Sequence, residues 1–365
     1  MLGGGGRALL HPPLFRVSIP HTLMPMKPFP LNDISRYRGE LMGLAMVLII
    51  LFHVSLPRHD PFYGLVRMGN IGVDIFLFLS GIGLWFSWEG MSNKPGTFSR
   101  RWLDFYARRL RRVYPAWLVV ATLFYLPRFL ERSSRSLSSY IDLAGDILVN
   151  WDFWLHDELT FWYIPATMML YVFAPPYMEA VRRHPVMRWL VVLPLMWCVI
   201  VQYITPIHTA VGHIEIFWSR VPIFFLGINI AESIRRRELA DGTIVWLAAV
   251  VLAISLPSCV WLEQMRHGRF PLFLERMLYI PFAVSLLILL TRMLPRSGRW
   301  IRSTLAWIGG ISLETYLIHA EFVLKPLRQY HLGYWPTALL TALISFLLAW
   351  MLHKAIQRIM SAVRA

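Results

Sequence analysis

Charged residues and cysteines are scarce in this chain. Only 16% of its 365 residues are charged, whereas 56% are hydrophobic. This balance excludes an intrinsically disordered chain and disfavours a soluble globular one. The two cysteines, Cys198 and Cys259, both lie in apolar runs. We therefore expect buried, reduced thiols, with neither a disulfide nor a cysteine-based metal site.

Acidic residues are few relative to basic ones. The chain has 21 Asp and Glu against 36 Lys and Arg, which gives a formal net charge of +15. In a soluble protein, this excess would suggest a nucleic-acid partner. Here the arginines lie between apolar runs, where membrane topology explains them. We therefore expect the chain to contact membrane lipid and not to bind nucleic acid.

Apolar runs close to membrane-spanning length recur along the sequence. They predict an all-α polytopic membrane protein with about ten transmembrane helices. The predicted spans are 39–56, 71–88, 113–130, 161–178, 188–205, 216–232, 244–262, 273–292, 304–324 and 334–355. Residues 1–30 have no long apolar run and no signal-peptide core, so we expect a disordered tail there and one transmembrane domain over 31–360.

The loops that follow even-numbered spans are rich in arginine. These basic segments are 100–112, 182–188, 235–237 and 292–302. Loops that follow odd-numbered spans have fewer basic residues or carry acids. The positive-inside rule therefore predicts both termini in the cytoplasm. We expect a multi-pass protein of the inner or plasma membrane.

Ionisable side chains from four predicted helices lie in the outer half of the membrane in this topology. His53 ends the first span, Asp74 lies in the second, and His319 lies in the ninth. Glu158 and Trp162 stand where the fourth span begins. Burying such groups is costly unless they are paired or hydrated. The pattern therefore indicates one shared polar cavity.

His53 is the candidate general base of this cavity, because a partnered imidazole can take a proton from a hydroxyl near neutral pH. Asp74 is the first candidate for its partner. Simpler explanations remain open: each histidine can be a hydrogen-bonded packing element, and Asp74 a helix-end residue near the interface. Glu158 can be a solvated loop acid, and Trp162 part of an interfacial aromatic belt.

Four segments of the sequence resemble the acyltransferase-3 family of integral membrane O-acyltransferases. They are the LFH that ends the first span, GNIGVDIFLFLSG at 69–81, RRLRRVYP at 108–115 and WIGGISLETYLIH at 307–319. The resemblance assigns the catalytic histidine of the family to His53, the Arg-x-x-Arg pair to Arg109 and Arg112, and the late histidine to His319. Where the family has an arginine before the catalytic histidine, this chain has Met42.

The resemblance implies transfer of an acyl group, usually acetyl, from cytoplasmic acyl-CoA to a hydroxyl of a sugar or related acceptor on the far side. Arg109 and Arg112 would hold the CoA phosphates, with no metal involved. Arg38 lies one helical turn before Met42, so either it replaces the family arginine or that role is lost. His53 would lie about 22 Å from Arg38 along the helix. Direct transfer and an acyl-histidine intermediate both remain open.

Two other function classes fit parts of the sequence. A proton-coupled transporter or flippase of a lipid-linked glycan or small solute would also use intramembrane His and Asp residues. The chain shows no internal repeat, which disfavours repeat-built transporter folds. A non-catalytic membrane scaffold would explain the hydropathy but would leave the outer polar layer unexplained.

Overall fold

The structure is a computed structural model that describes residues 27–92, 98–131 and 136–362. Most of the predicted tail, residues 1–26, lies outside these described ranges. Its last part does not behave as the sequence suggested, because Phe29 is 1% exposed and belongs to a strand. This strand, β1 (Phe29–Pro30), pairs antiparallel with β2 (Leu239–Ala240).

Helices make up nearly all of the remaining described chain. They are α1 (Asn32–Arg36), α2 (Arg38–Val54), α3 (Tyr63–Arg67), α4 (Ile71–Ser92), α5 (Phe98–Leu130), α6 (Leu137–Val149), α7 (Trp151–Leu155), α8 (Tyr163–Arg183), α9 (Val192–Tyr203), α10 (Thr205–Val211), α11 (Glu215–Trp218), α12 (Val221–Arg235), α13 (Thr243–Met265), α14 (Leu272–Met293), α15 (Arg299–Gly310), α16 (Ser312–Ile318), α17 (Lys325–Arg328) and α18 (Tyr334–Ala362). Short 3-10 helices cover Met68–Asn70, Pro185–Val191, Gly212–Ile214 and Leu294–Arg296, and a π-helical segment covers His319–Leu324.

Six helical stretches in the described ranges are long and apolar enough to cross a membrane. They are Tyr63–Met91, Ser99–Leu130, Pro185–Tyr203, Thr243–Met265, Leu272–Arg296 and Tyr334–Ala362. A seventh crossing is added if Thr205–Trp218 and Val221–Arg235, which meet at 43°, form one broken span. The predicted spans 39–56, 161–178 and 304–324 are also helical but do not reach this length and hydropathy. The fold is thus that of an all-α membrane protein, and the count of ten remains a prediction.

Helix α2 packs most closely against α15 and α4, and glycines make these contacts possible. A Cβ on Gly43 would collide with the backbone carbonyl of Leu305, and one on Gly72 would collide with that of Ala45. The missing side chains let the helix backbones approach closely, as in small-residue interfaces of membrane helices. This packing fixes α2, and with it both ends of the candidate site, relative to its neighbours.

Candidate active site

Two histidines from separate helices meet at one end of α2. His53 lies in the last turn of α2, and His319 begins the π-helical segment that follows α16. Their rings lie 4.7 Å apart between centroids, and His53 Nδ1 is 3.2 Å from His319 Nε2. His319 is 1% exposed, whereas His53 is half-buried. π-helical segments are frequent at functional sites, and this one turns His319 towards α2.

Backbone carbonyls fix the tautomers of both rings. His319 Nδ1 lies 2.8 Å from the carbonyl oxygen of Tyr316, so it must carry the proton and donate it. Nε2 of a neutral His319 is then an acceptor. His53 Nδ1 faces this acceptor and also lies 2.9 Å from the carbonyl oxygen of Ile49, so it too is a donor. The lone pair of His53 is therefore on Nε2, the atom available as a base.

An inner cavity extends from three arginines towards this histidine pair. Arg38, Arg109 and Arg112 line it, and Ile49, one turn before His53, lines its other end. No carboxylate in the described ranges forms an ion pair with any of these arginines. The Nε atoms of Arg38 and Arg109 are buried without a hydrogen-bond partner there. Three uncompensated guanidinium groups suit a phosphate-bearing ligand.

Arg38 and Met42 face the same cavity. The guanidinium of Arg38 lies against Gly83 of α4: a Cβ placed there would be 2.5 Å from Nη1 of Arg38. The structure thus brings Arg38 to the position that the sequence suggested, beside the two arginines of α5. The side chain at position 42 lies one turn closer to the histidines, within the same space.

An outer pocket lies on the other side of the histidine pair. Its lining comprises His53, Glu158, Leu159, Thr160, Phe161, Trp162, Tyr316, His319, Ala320 and Glu321. Four of the five residues that the sequence placed in one outer polar layer are among them. Glu158 is exposed at its edge, and Trp162 is 9% exposed in its wall.

Asp74 does not partner His53 in the structure, contrary to the sequence-based expectation. The carboxylate is 1% exposed, and its Oδ1 lies 3.7 Å from Nε of Arg220. Arg220 also donates to Asn70 Oδ1 at 2.9 Å and to the carbonyl oxygen of Ile216 at 3.1 Å. The predicted pairing is wrong because α4 packs against α12, which brings the arginine that precedes α12 to Asp74. The π-helical segment after α16 supplies His53 with an imidazole instead. Asp74 is thus the partner of a buried arginine.

Several residues near the site were not assigned to it in the sequence analysis. Arg220 stacks on Trp162, with its guanidinium carbon 4.8 Å from the ring centroid. Its position inside a predicted span was a signal, because an intramembrane arginine marks a functional or pairing site. Arg328 donates to the carbonyl oxygen of His53 at 2.6 Å and so caps the end of α2. Tyr316 lies in the family-like segment 307–319, but the sequence analysis gave it no role.

The described residues contain no group of three or more His, Cys, Asp or Glu side chains arranged to hold a metal ion. The chemistry at hand is that of an imidazole base between an arginine-lined cavity and an aromatic, acid-edged pocket.

These features are those of a multi-pass α-helical membrane protein with an arginine-lined cavity next to a pair of histidines. Residues 41–354 match the sequence profile of acyltransferase-3, described as an acyltransferase domain. The chain therefore belongs to the acyltransferase-3 family.

One curated relative is a protein of Caenorhabditis elegans called regulator of hypoxia-inducible factor 1. It is 32% identical over 142 residues, which are 37% of this chain and 28% of that protein. The matched part is thus little more than a quarter of the relative's length. No solved structure matches the chain.

Proposed function

We propose that the protein is an O-acyltransferase that moves an acyl group, most simply acetyl, from acyl-CoA to a hydroxyl of a carbohydrate or related cell-surface acceptor. One observation carries the proposal: a cavity with three uncompensated arginines at one end reaches to within one turn of an imidazole that lines a second pocket. A donor with a charged head and a long neutral arm fits this arrangement, and the acceptor fits the pocket beyond.

The donor end of the site is built by α2 and α5. Arg38, Arg109 and Arg112 bind the phosphates of CoA through charge-assisted hydrogen bonds. The apolar walls, including Val73 and Phe76, surround the neutral pantetheine arm and the acyl group. The thioester carbon is thereby brought to the level of Ile49, just below the histidine pair.

The base is Nε2 of His53. It takes the proton of the acceptor hydroxyl while the hydroxyl oxygen attacks the thioester carbonyl carbon, and the carbon–sulfur bond breaks as the thiolate leaves. His319 holds the His53 ring through the Nδ1 proton and makes no proton transfer of its own. As His53 becomes positively charged, the carbonyl of Ile49 and Nε2 of His319 stabilise its Nδ1–H. Trp162 and Glu158 bind the acceptor in the outer pocket.

We further propose that the arginine end faces the cytoplasm and that the outer pocket faces the opposite side. Arg109 and Arg112 continue the basic segment that begins at Arg100, and the positive-inside rule favours the cytoplasm for such segments. The ten-span topology with both termini inside follows from the same rule. The membrane would be the inner or plasma membrane, where cytoplasmic acyl-CoA and a surface acceptor meet.

The test is transfer of radiolabelled acetyl from acetyl-CoA to membrane material in vesicles that contain the protein. His53→Ala should abolish transfer, and His59→Ala, which changes an exposed histidine six residues away, should leave it intact. Arg109→Ala should raise the KM for acetyl-CoA, whereas Arg108→Ala on the exposed neighbouring position should not. Unaltered transfer by a well-folded His53→Ala protein would refute the role of the base.

A further inference from the structure

Tyr316 is the one residue in the described ranges that lines both the inner cavity and the outer pocket. The inner cavity ends at the level of Ile49 and Tyr316, each about one turn before its histidine. The outer pocket begins with His53 and His319 themselves. The tyrosine ring therefore stands at the boundary between the two spaces.

One hydrogen bond and two aromatic contacts hold Tyr316 at this boundary. Its hydroxyl oxygen accepts from the backbone N–H of Tyr163 at 3.2 Å, at the beginning of α8. Its ring lies 5.2 Å from that of Tyr163 and 5.9 Å from that of His319, measured between centroids. The hydroxyl thus bridges α16 to α8 across the boundary, and Tyr316 itself is half-buried.

We propose that Tyr316 is a partition that separates the donor cavity from the outer pocket until an acceptor occupies the pocket. The chemical role of this partition rests on the proposed function. Its effect on access to the inner cavity does not, and can be measured without catalysis. Because the side chain is tied to α8 by a single hydrogen bond in the described structure, an acceptor that displaces the hydroxyl can open the passage beside His53.

The partition protects the thioester from water. Without it, a water oxygen can bond to the carbonyl carbon as the carbon–sulfur bond breaks. Nε2 of His53 takes a proton from the water and returns it to the thiolate, giving free CoA thiol and the carboxylic acid, which ionises to acetate and a proton. The general base that serves the acceptor would serve water equally well. A closed wall between water and thioester is therefore required for transfer rather than hydrolysis.

The first experiment measures which side reaches the inner cavity, and it needs no catalysis. Ser80→Cys places a thiol in the inner cavity, and labelling uses the anionic, membrane-impermeant reagent sulfonatoethyl methanethiosulfonate. The parent chain, whose Cys198 and Cys259 are buried, gives the background. Inverted vesicles and intact cells present the two opposite faces. We expect Ser80→Cys to be labelled from the arginine side and protected from the histidine side.

Substitution of Tyr316 should open the second route. In the Ser80→Cys chain, Tyr316→Ala should make labelling from the histidine side about tenfold faster or more, since the wall is gone. Tyr316→Phe, which keeps the ring but loses the bond to Tyr163, should give an intermediate rate. Tyr171→Ala, which alters the inner cavity alone, should leave the protection intact. Unchanged labelling from the arginine side shows that each variant is folded.

Two results would overturn the partition: equal labelling from both sides with Tyr316 intact, or continued protection in a folded Tyr316→Ala protein. If the two sides are merely exchanged, the proposed membrane orientation is wrong and the partition stands.

The second experiment measures hydrolysis of acetyl-CoA by purified protein without acceptor. Tyr316→Ala should hydrolyse it about tenfold faster than the parent, and adding His53→Ala should remove the gain. Equal hydrolysis in parent and Tyr316→Ala would contradict the partition when the parent transfers acetyl to membranes. A parent that neither binds nor uses acetyl-CoA would instead contradict the proposed function, and the labelling result would still decide the partition.

Discussion

The imidazole of His319 accepts the Nδ1 proton of His53 across 3.2 Å, while its own Nδ1 donates to the carbonyl of Tyr316. This hydrogen bond distinguishes two histidines that look equivalent in the sequence. His53 is left with a free lone pair, and His319 has none to offer a substrate. In the proposed mechanism the buried histidine is therefore a positioning residue, and the half-buried one is the base.

Removing His319 should slow the reaction without weakening donor binding. We expect His319→Ala to lower kcat by roughly 10–100-fold, with an unchanged KM for acetyl-CoA, because the His53 ring loses one of the two acceptors that hold its Nδ1 proton. His319→Gln, whose side-chain oxygen can accept the same proton, should recover part of the loss. Initial rates of label transfer against acetyl-CoA concentration separate the two constants.

The double variant His53→Ala/His319→Ala distinguishes positioning from independent catalysis. If His319 acts through His53, the double variant should be no slower than His53→Ala alone. A further loss in the double variant, or a raised KM in His319→Ala, would mean that His319 contacts a substrate itself.

Arg38 and Met42 should be exchangeable as carriers of the third guanidinium. Arg38→Met should raise the KM for acetyl-CoA by roughly tenfold or more, as expected when a charge-assisted hydrogen bond is lost. Adding Met42→Arg should restore it to within a few fold, because both positions face the inner cavity. Arg36→Met, on an exposed arginine paired with Asp33, is the matched control and should change nothing. Failure of the exchange in a folded protein would show that Arg38 holds no phosphate.

Gly83 should control the same arginine from the opposite helix. A Cβ there would lie 2.5 Å from Nη1 of Arg38, so Gly83→Ala should push the guanidinium out of place and raise the KM for acetyl-CoA. Gly90→Ala lies on the same helix, where an added Cβ meets nothing within 4 Å. It should leave the KM unchanged. An equal effect of both substitutions would indicate a general response of α4 rather than displacement of Arg38.

Asp74 should matter for stability more than for chemistry. Asp74→Leu leaves the buried Arg220 without its carboxylate, and we expect a loss of about 3–5 kcal/mol in stability, measured as thermal unfolding of the detergent-solubilised protein. Asp74→Leu/Arg220→Met should recover part of it, because Arg220 is then no longer a buried charge without its carboxylate. Asp33→Asn, in an exposed ion pair, should cost little. If Asp74→Leu unfolds at the same temperature as the parent but no longer transfers acetyl, Asp74 has a catalytic role after all.

The sequence predicted which residues lie at the same depth, and the structure brings most of them together. Apolar run length and arginine-rich loops placed His53, His319, Glu158 and Trp162 in one layer, and the outer pocket contains all four. The family resemblance marked Arg109 and Arg112, and offered Arg38 as a replacement for the arginine missing at Met42, and all three arginines line one cavity. The depth of a residue in the membrane can be predicted from its position in a helix because the rise per residue is constant.

The rotation of a helix about its own axis, and the helices that it packs against, could not be predicted from the sequence. Asp74 lies at the depth that the sequence predicted. The face of α4 that carries it is turned towards α12, and Arg220, which directly precedes α12, pairs with its carboxylate. Hydropathy does not report such a rotation when a helix is apolar on all sides. The π-helical segment at His319 was equally invisible, since it depends on packing and not on a residue pattern. Tyr316 acquires its place only from the meeting of α16 and α8.

A last prediction concerns the segment beside the outer pocket, where α6 and α7 lie outside the candidate spans. Burial first, and then the nearby Asp152 carboxylate, raise the pKa of Asp146 to about 6. The folded segment therefore favours the protonated acid, and this stabilisation is complete below pH 4 and is lost as the pH rises through 6. At pH 7 the buried charge should cost at most about 3 kcal/mol relative to acid pH.

Asp146→Asn should remove this cost, because its side-chain oxygen can still accept the Asp152 N–H, which Asp146 Oδ1 binds at 3.1 Å. We expect slower amide hydrogen exchange over 137–155 at pH 7.5 in Asp146→Asn than in the parent, with little difference at pH 5 after correction for intrinsic exchange. Asp142→Asn, which removes the smallest of the contributions that raise this pKa, should give a smaller change. Faster exchange in Asp146→Asn at pH 7.5 would mean that the carboxylate stabilises the segment as an anion, and the sign of the pKa argument would be wrong.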